Sequence, residues 1–256
     1  MNPSAELQAA LAAAAAAAEI ARSLYQRNLA VRLKADKSPV TEADVRAEET
    51  IREVLHARFP GYGFFGEESG RHGMDADNIW VVDPLDGTKS FVRETPFFST
   101  QIALLREGRL VLGVSNAAAY GEIAWAEQGG GAFLDGQRLN VSDVGALAQA
   151  FISTGNLKSL AASAAGWTRF GALVGRVARL RGYGDFLHYH LLARGALDAV
   201  LESDVNILDI AALTVIVREA GGTVSELAGG DINLESTTIL ATNGALHPAL
   251  LSAMQR

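Results

Sequence analysis

The chain of 256 residues contains no cysteine. Disulfides and thiolate metal sites are therefore excluded, and no redox compartment can be read from this count. Basic charge is also scarce: 22 Lys and Arg face 29 Asp and Glu, a formal net charge of −7. That balance argues against general nucleic-acid binding, which needs a basic surface. It leaves an anionic substrate open, because a bound divalent cation inverts the sign of a local site. Long apolar runs are few. The most conspicuous, Ala12–Ala18, has no Lys or Arg before it, with Glu6 upstream and Glu19 at its end. A secretory signal starts with basic residues, and a membrane span needs about 20 apolar ones. Alanine is the strongest helix former. The run is expected inside a soluble helix from Ser4 to Leu29, with Ser4 as N-cap and Pro3 just outside. A cytoplasmic protein with no membrane partner is the expectation. No internal repeat or low-complexity tail is visible.

The pattern along the chain predicts an α+β protein. A helix over Thr41–Phe59 opens on Thr41 with Asp44 three residues on, a capping box with Asp in place of Glu. Short strands are expected at Tyr62–Phe65 and Ile79–Val82. An antiparallel meander follows: Ser99–Arg106, Arg109–Asn116, Glu122–Glu127 and a piece near Ala132. Glu107-Gly108, Gly129-Gly130-Gly131 and Asp135-Gly136 supply the turns. The second half alternates. Strands are expected at Phe151–Ser153, Ala199–Glu202, Thr223–Ser225 and Thr238–Ala241. Helices are expected over Ser159–Ala178, His188–Arg194, Ile210–Ala220 and His247–Met254, with Gly221-Gly222 as a helix stop. The switch predicts two subdomains, 1–145 (α+β) and 146–256 (α/β), sharing an interface within one compact catalytic unit.

The stretch Ile79–Phe91, I-W-V-V-D-P-L-D-G-T-K-S-F, carries the chemistry. A strand running into D-x-x-D-G-T brings two hard oxygen ligands, Asp83 and Asp86, to one point at a sheet edge. Pro84 stiffens the turn, and Gly87 lets the backbone approach a ligand closely. Gathered carboxylates repel one another unless a cation neutralises them, and oxygen-only ligation suits Mg²⁺ or Mn²⁺. Glu67-Glu68 follow a strand beside glycines, while Asp44 and Asp209 stand at helix starts. Singly, each has a plain reading as a loop charge or a helix cap. Together they are acids at strand ends and helix starts that converge on one cleft.

G-E-E-S-G at 66–70, D-P-L-D-G-T at 83–88, L-D-I-A-A…E-A-G-G at 208–222 and V-T-E-A-D at 40–44 resemble the ordered signatures of the inositol monophosphatase family. These are Mg²⁺-dependent, lithium-sensitive phosphomonoesterases. The resemblance implies the layered αβαβα sugar-phosphatase fold, a homodimer and two to three Mg²⁺ per site, with Mn²⁺ as an alternative. It implies that Glu67, Asp83 and the Leu85 carbonyl bind a first metal. Asp83, Asp86 and Asp209 would hold a second, with Asp83 bridging. Asp44 and Thr88, near a third and weaker metal beside Glu67, would orient the attacking water and take its proton. Backbone N–H groups of Gly87 and Thr88 would hold phosphate at a helix start, and Glu68 would stand behind the ligands. The chemistry implied is in-line attack of an activated water on a small phosphate ester, without a phosphoenzyme.

Gly87-Thr88-Lys89-Ser90-Phe91, Thr100–Leu105 and Arg181-Gly182-Tyr183-Gly184-Asp185 are similar to the histidinol-phosphate phosphatase branch of that family. Asp185 suits the ammonium or imidazole of L-histidinol, and otherwise caps a helix over Phe186–Arg194. Glu202, seven residues before Asp209, occupies a place that contacts substrate hydroxyl or amine groups in the family. Lys89 reads as a surface charge or a phosphate neighbour. Leu208 stands where the family usually has Trp, removing an aromatic wall. His188 and His190, two apart, do not share a helix face and read as packing or surface residues. The rival substrate is inositol 1-phosphate. Rivals of another class are an inactive phosphate-ligand-binding regulator and a structural or chaperone-like dimer.

Overall fold

The computed structural model describes residues 3–27, 31–33 and 39–255. Two long helices open it, α1 (Ala5–Leu24) and α2 (Glu42–Arg58), with a small two-stranded ribbon between them, β1 (Arg32–Leu33) and β2 (Pro39–Val40). A large sheet follows: β3 (Gly63–Gly66), β4 (Gly70–His72), β5 (Asn78–Asp86), β6 (Ser99–Arg106), β7 (Arg109–Ala117), β8 (Glu122–Glu127), β9 (Gly131–Leu134) and β10 (Gln137–Arg138). The short helix α3 (Thr88–Val92) interrupts it after β5. The strand order is β10-β9-β8-β7-β6-β5-β3-β4, with β3 and β5 parallel and the remaining pairs antiparallel. The second half holds β11 (Phe151–Thr154), α4 (Lys158–Ala162), α5 (Ala164–Val174), β12 (Arg179–Arg181) and α6 (Asp185–Ala193). It continues with β13 (Ala199–Ser203), α7 (Ile207–Glu219), β14 (Thr223–Ser225), β15 (Thr238–Thr242) and α8 (His247–Gln255). Its five strands form a mixed sheet, β12-β11-β13-β15-β14.

Strand alternation explains the layering. On β5 and β6, Trp80, Val82, Ile102 and Leu104 face α1 and α2, while Ile79, Val81, Ala103 and Leu105 face the opposite way. That second face shares a core with α6, α7 and one face of the small sheet, through Val200, Ile239 and Ala241. The other face of the small sheet, with Ala199, Leu201 and Leu240, packs on α5 and α8. The result is five layers, αβαβα, each sheet buried on both sides. The alanine run of α1 is an interface. Ala9, Ala10, Ala13, Ala14 and Ala17 are fully buried against α2 and the large sheet, where their small side chains let the layers approach.

Several boundaries differ from the sequence reading, each for a local reason. The first helix ends at Leu24, where Tyr25 turns extended and Gln26 takes φ +59°; residues 28 and 29 of the expected helix lie outside the described region. Ser4 does cap it, accepting the Leu7 N–H at 3.0 Å. The segment expected as one helix over Ser159–Ala178 is two. Ser163 ends α4 and caps α5 by accepting the Gly166 N–H, and the chain then returns as strand β12. Helix α7 starts three residues earlier than expected, because Asn206 and not Asp209 is its N-cap. The fifth strand runs past Val82 to Asp86, and it lies inside the sheet between β3 and β6 and not at an edge.

Candidate active site

Proline shapes the end of β5. Asp83 pairs with Gln101 and Asp86 with Ser99, so three steps on β5 face two on β6. This bulge around Pro84, which has no N–H to offer the ladder, turns both Asp83 and Asp86 toward one point. Thr100 Oγ1 donates to the Pro84 carbonyl at 3.0 Å, and the Leu85 N–H donates to Asp83 Oδ1 at 2.9 Å. Asp83 and Asp86 are buried. Gly87 follows with φ +85°, and a Cβ there would meet the Phe97 carbonyl oxygen at 2.3 Å. Only glycine fits that start of α3.

The other carboxylates arrive from helix starts and a strand end. Thr41 and Asp44 form a capping box, as the sequence predicts. Asp44 Oδ2 accepts both the backbone N–H and the hydroxyl of Thr41, each at 2.7 Å. Asp44 Oδ1 accepts the Thr88 hydroxyl at 2.8 Å, and the Leu85 carbonyl lies 3.1 Å from the same hydroxyl. Helix α7 repeats the device: Asp209, at its third position, accepts the Asn206 N–H on Oδ2 at 3.0 Å. In both boxes the cap holds one oxygen and aims the carboxylate.

Two groups result, Asp44 with Glu67 and Glu68, and Asp83 with Asp86 and Asp209. Within each group, ligand oxygens from all three residues lie within 4.8 Å of one another. Glu68 thus belongs to the same group as Asp44 and Glu67. At an effective dielectric constant of about 20, two unit charges at that spacing repel by about 3 kcal/mol. Burial, then the charges of Glu67, Asp86 and Asp209, push the Asp83 carboxyl well above the usual range. Burial, then Asp185, Asp209, Glu202 and Glu67, do the same to Asp86. Asp209 is raised to about 6, chiefly by burial. An oxygen-only donor set in which like charges crowd together fits hard divalent cations, which remove the repulsion.

Beside this cluster, Asp86, Asp185, Glu202 and Asp209 line one cleft with Asn156 and Tyr189. Asp185 is the first residue of α6, held at φ +47° after Gly184, and burial raises its carboxyl to about 6. Its expected role as helix cap is not seen, since Gly184 occupies that position. Exposed Lys89 acts on Asp185 through its charge. Glu202 is buried at the end of β13. Burial opposes its ionisation, but the His188 charge and hydrogen bond, the Tyr189 hydroxyl and the Asn156 N–H leave its carboxyl below the usual range. His188 and His190 are both fully buried, so neither is a surface residue. They also part company, His188 toward Glu202 and His190 toward Ser115 and Glu122. Leu208 is buried in the core between the sheets and does not line the cleft.

Sequence reasoning missed Glu48. Its two oxygens accept the N–H groups of Glu68 and Ser69, each at 2.7 Å, and so hold the 66–70 loop. The signal was present, for Glu48 stands four residues after Asp44 on the same face of α2. It also missed the hydrogen-bonded row behind Asp86, Ser99 Oγ to Asp86 Oδ2 at 3.3 Å and Gln101 Nε2 to Ser99 Oγ at 2.7 Å. Such a row depends on strand register, which spacing along one segment does not show.

Residues 2–256 match the model of the inositol monophosphatase family. A histidinol-phosphatase of Mycobacterium tuberculosis is 40% identical over 261 residues, covering 97% of this chain and 97% of that protein. An inositol-1-monophosphatase of Mesorhizobium japonicum is 35% identical over 245 residues, covering 90% of this chain and 88% of that one. The crystal structure of the extragenic suppressor protein SuhB from Bartonella henselae shares the fold with a TM-score of 0.91 at 33% identity, covering 99% of each chain. The chain belongs to the inositol monophosphatase family and is a phosphomonoester hydrolase.

Proposed function

We propose that this hydrolase converts L-histidinol phosphate to L-histidinol and phosphate, with Mg²⁺ held by Glu67, Asp83, the Leu85 carbonyl, Asp86 and Asp209. The observation that carries the substrate is the acidic cleft: Asp185 and Glu202 stand beside the carboxylates of Asp86 and Asp209. Bound cations would neutralise the ligand carboxylates, while Asp185 and Glu202, which are not among those ligands, would face a positively charged group on the alcohol. The similarity to the Mycobacterium tuberculosis histidinol-phosphatase supports the same reading.

The cations, when bound, supply charge neutralisation at the phosphate and lower the pKa of water. The chain's own residues do the positioning. Asp44 Oδ2 is fixed by its helix cap and Oδ1 faces Thr88, so the pair orients a water and receives its proton. Gly87 admits the phosphate to the start of α3, where the Thr88 N–H stands alongside. Glu68 is assigned to support of this set. Inositol 1-phosphate is the second reading, favoured by the similarity to the Mesorhizobium japonicum enzyme; a neutral polyol would offer Asp185 and Glu202 hydroxyls but no cationic partner. A cytoplasmic homodimer whose halves 1–145 and 146–256 work as one catalytic unit completes the proposal.

The test is kcat/KM with Mg²⁺ for histidinol phosphate, inositol 1-phosphate, fructose 1,6-bisphosphate and 3′-phosphoadenosine 5′-phosphate. Histidinol phosphate is expected to lead. Asp185→Asn is expected to harm histidinol phosphate more than glycerol 2-phosphate, and equal losses on both remove Asp185 from recognition.

A further inference from the structure

Glu202 does not stand alone. Its Oε2 accepts the Tyr189 hydroxyl at 2.6 Å and lies 3.0 Å from His188 Nε2, while Oε1 accepts the Asn156 N–H at 3.2 Å. The other ring nitrogen, Nδ1, lies 3.1 Å from Ser153 Oγ. Ser153 Oγ in turn accepts the backbone N–H of Tyr183 at 3.1 Å. Tyr183 belongs to the loop that leads through Gly184 and Asp185, both at positive φ, into α6. His188, Tyr189 and Ser153 are all buried. One unbroken path of hydrogen bonds therefore runs from the Asp185 loop, through Ser153 and His188, to Glu202 on a different strand.

The proton positions follow from the partners. A carboxylate only accepts, so the 3.0 Å contact requires a proton on Nε2. Gly155 shows that the space around Glu202 is fixed: a Cβ on it would fall 1.6 Å from Glu202 Oε1. The carboxylate has no room to swing toward β11 and is held from its other side by His188 and Tyr189.

We propose that His188 is a positioning residue for substrate selection: by bridging Ser153 and Glu202 it locks Glu202 and the Asp185 loop into one geometry for the cationic end of the substrate. The proposal rests on the reading that the substrate is a phosphate ester of a positively charged alcohol. Neither His188 nor Ser153 lines the cleft; they act through residues that do. The phosphate end of the site, at Asp83, Thr88 and Asp209, makes no hydrogen bond to this path.

The test uses the full chain with Mg²⁺ and two substrates, L-histidinol phosphate and 4-nitrophenyl phosphate. The wild type is read first. If it shows no preference for the cationic ester, the substrate reading fails and this proposal falls with it. If the preference is present, His188→Met, close in volume but without the Nε2–H, is expected to raise KM for the cationic ester by at least about tenfold more than for 4-nitrophenyl phosphate. His188→Gln, which returns an N–H toward Glu202, is expected to recover part of that split. Equal effects on both esters, or no recovery by Gln, overturn the positioning role while leaving the substrate reading intact. Side-chain ¹⁵N NMR of the wild type gives an answer independent of any variant's folding. A proton on His188 Nε2 is expected, and a proton on Nδ1 alone overturns the bridge.

Discussion

Both carboxylate oxygens of Glu48 accept N–H groups of the loop that carries Glu67 and Glu68. Gly66 is part of the same fit, since a Cβ there would meet the Glu48 carboxylate at 2.6 Å. Glu48→Gln puts an N–H₂ where one of those amides needs an acceptor. Mg²⁺ affinity, measured by calorimetry, is expected to fall by about 10–100-fold, as for partners that orient metal ligands. An unchanged affinity would show that the loop holds its shape without Glu48. At this scale the ligand candidates were legible, because carboxylates beside Gly and Pro at ends of elements have few plain reasons to cluster. Asp44, Glu67, Asp83, Asp86 and Asp209 were all singled out, and the structure gathers them into two groups, Asp44 with Glu67 and Asp83 with Asp86 and Asp209. Glu48 and Gln101 were not, because each acts on a residue whose proximity only the fold creates, whereas Asn206, three residues before Asp209, is a local cap that was overlooked. His188 and His190 were read as packing or surface, since nothing in their spacing announces Glu202 or Ser115.

Helix α7 brings Asp209 to the cluster, and Gly113 on β7 decides how closely it can lie. A Cβ at Gly113 would stand 2.3 Å from the Ala212 carbonyl oxygen, one turn along from Asp209. Gly113→Val must therefore push α7 off the sheet. Overpacking of this kind costs about 1–3 kcal/mol, read as a lower midpoint in denaturant. The same variant is expected to bind Mg²⁺ more weakly, because the displaced helix carries Asp209. Lost stability with unaltered Mg²⁺ affinity would mean that the cluster tolerates the shift. Elements with strong turn chemistry were legible. Glu107-Gly108 and Asp135-Gly136 both take paired positive φ, the geometry of tight hairpins, and the meander they join has the expected order. The break at Ser163 and the start of α7 at Ile207 were not legible. Serine continues a helix or caps one according to its surroundings, and Asp209 in the third helical position looks like a cap when Asn206 is overlooked.

Across the whole molecule, the two sheets and the helices between them bury a set of like charges that stability must carry. In the metal-free chain burial raises Asp209 and Asp185 to about 6 from an ordinary 3.8, and burial and neighbouring charges push Asp83 and Asp86 well above the usual range. Between pH about 4 and 6 the folded chain then holds protons that the unfolded chain has released. Stability is present below that window and is lost as pH rises through it. Mg²⁺ held by Asp83, Asp86 and Asp209 would replace the protons on those three groups and restore their share of it, while Asp185 lies outside the proposed ligand set. The increase in Tm on adding Mg²⁺ is thus expected to be larger at pH 8 than at pH 5, measured by calorimetry, and an equal increase at both would detach the cluster from metal binding. The layered fold was legible as alternating strands and helices. The sharing of α7 between both sheets was not, because its apolar residues surround the helix and name no single neighbour. The claim that unites these scales is that the gathered carboxylates, Asp83 among them, would hold divalent metal for phosphate-ester hydrolysis. Its most direct test is phosphate release from L-histidinol phosphate by the wild type and by Asp83→Asn, each with Mg²⁺ and with a chelator. Turnover is expected only for the wild type with Mg²⁺; near-normal turnover of Asp83→Asn, or of the chelated wild type, would mean that these carboxylates do not hold a catalytic metal.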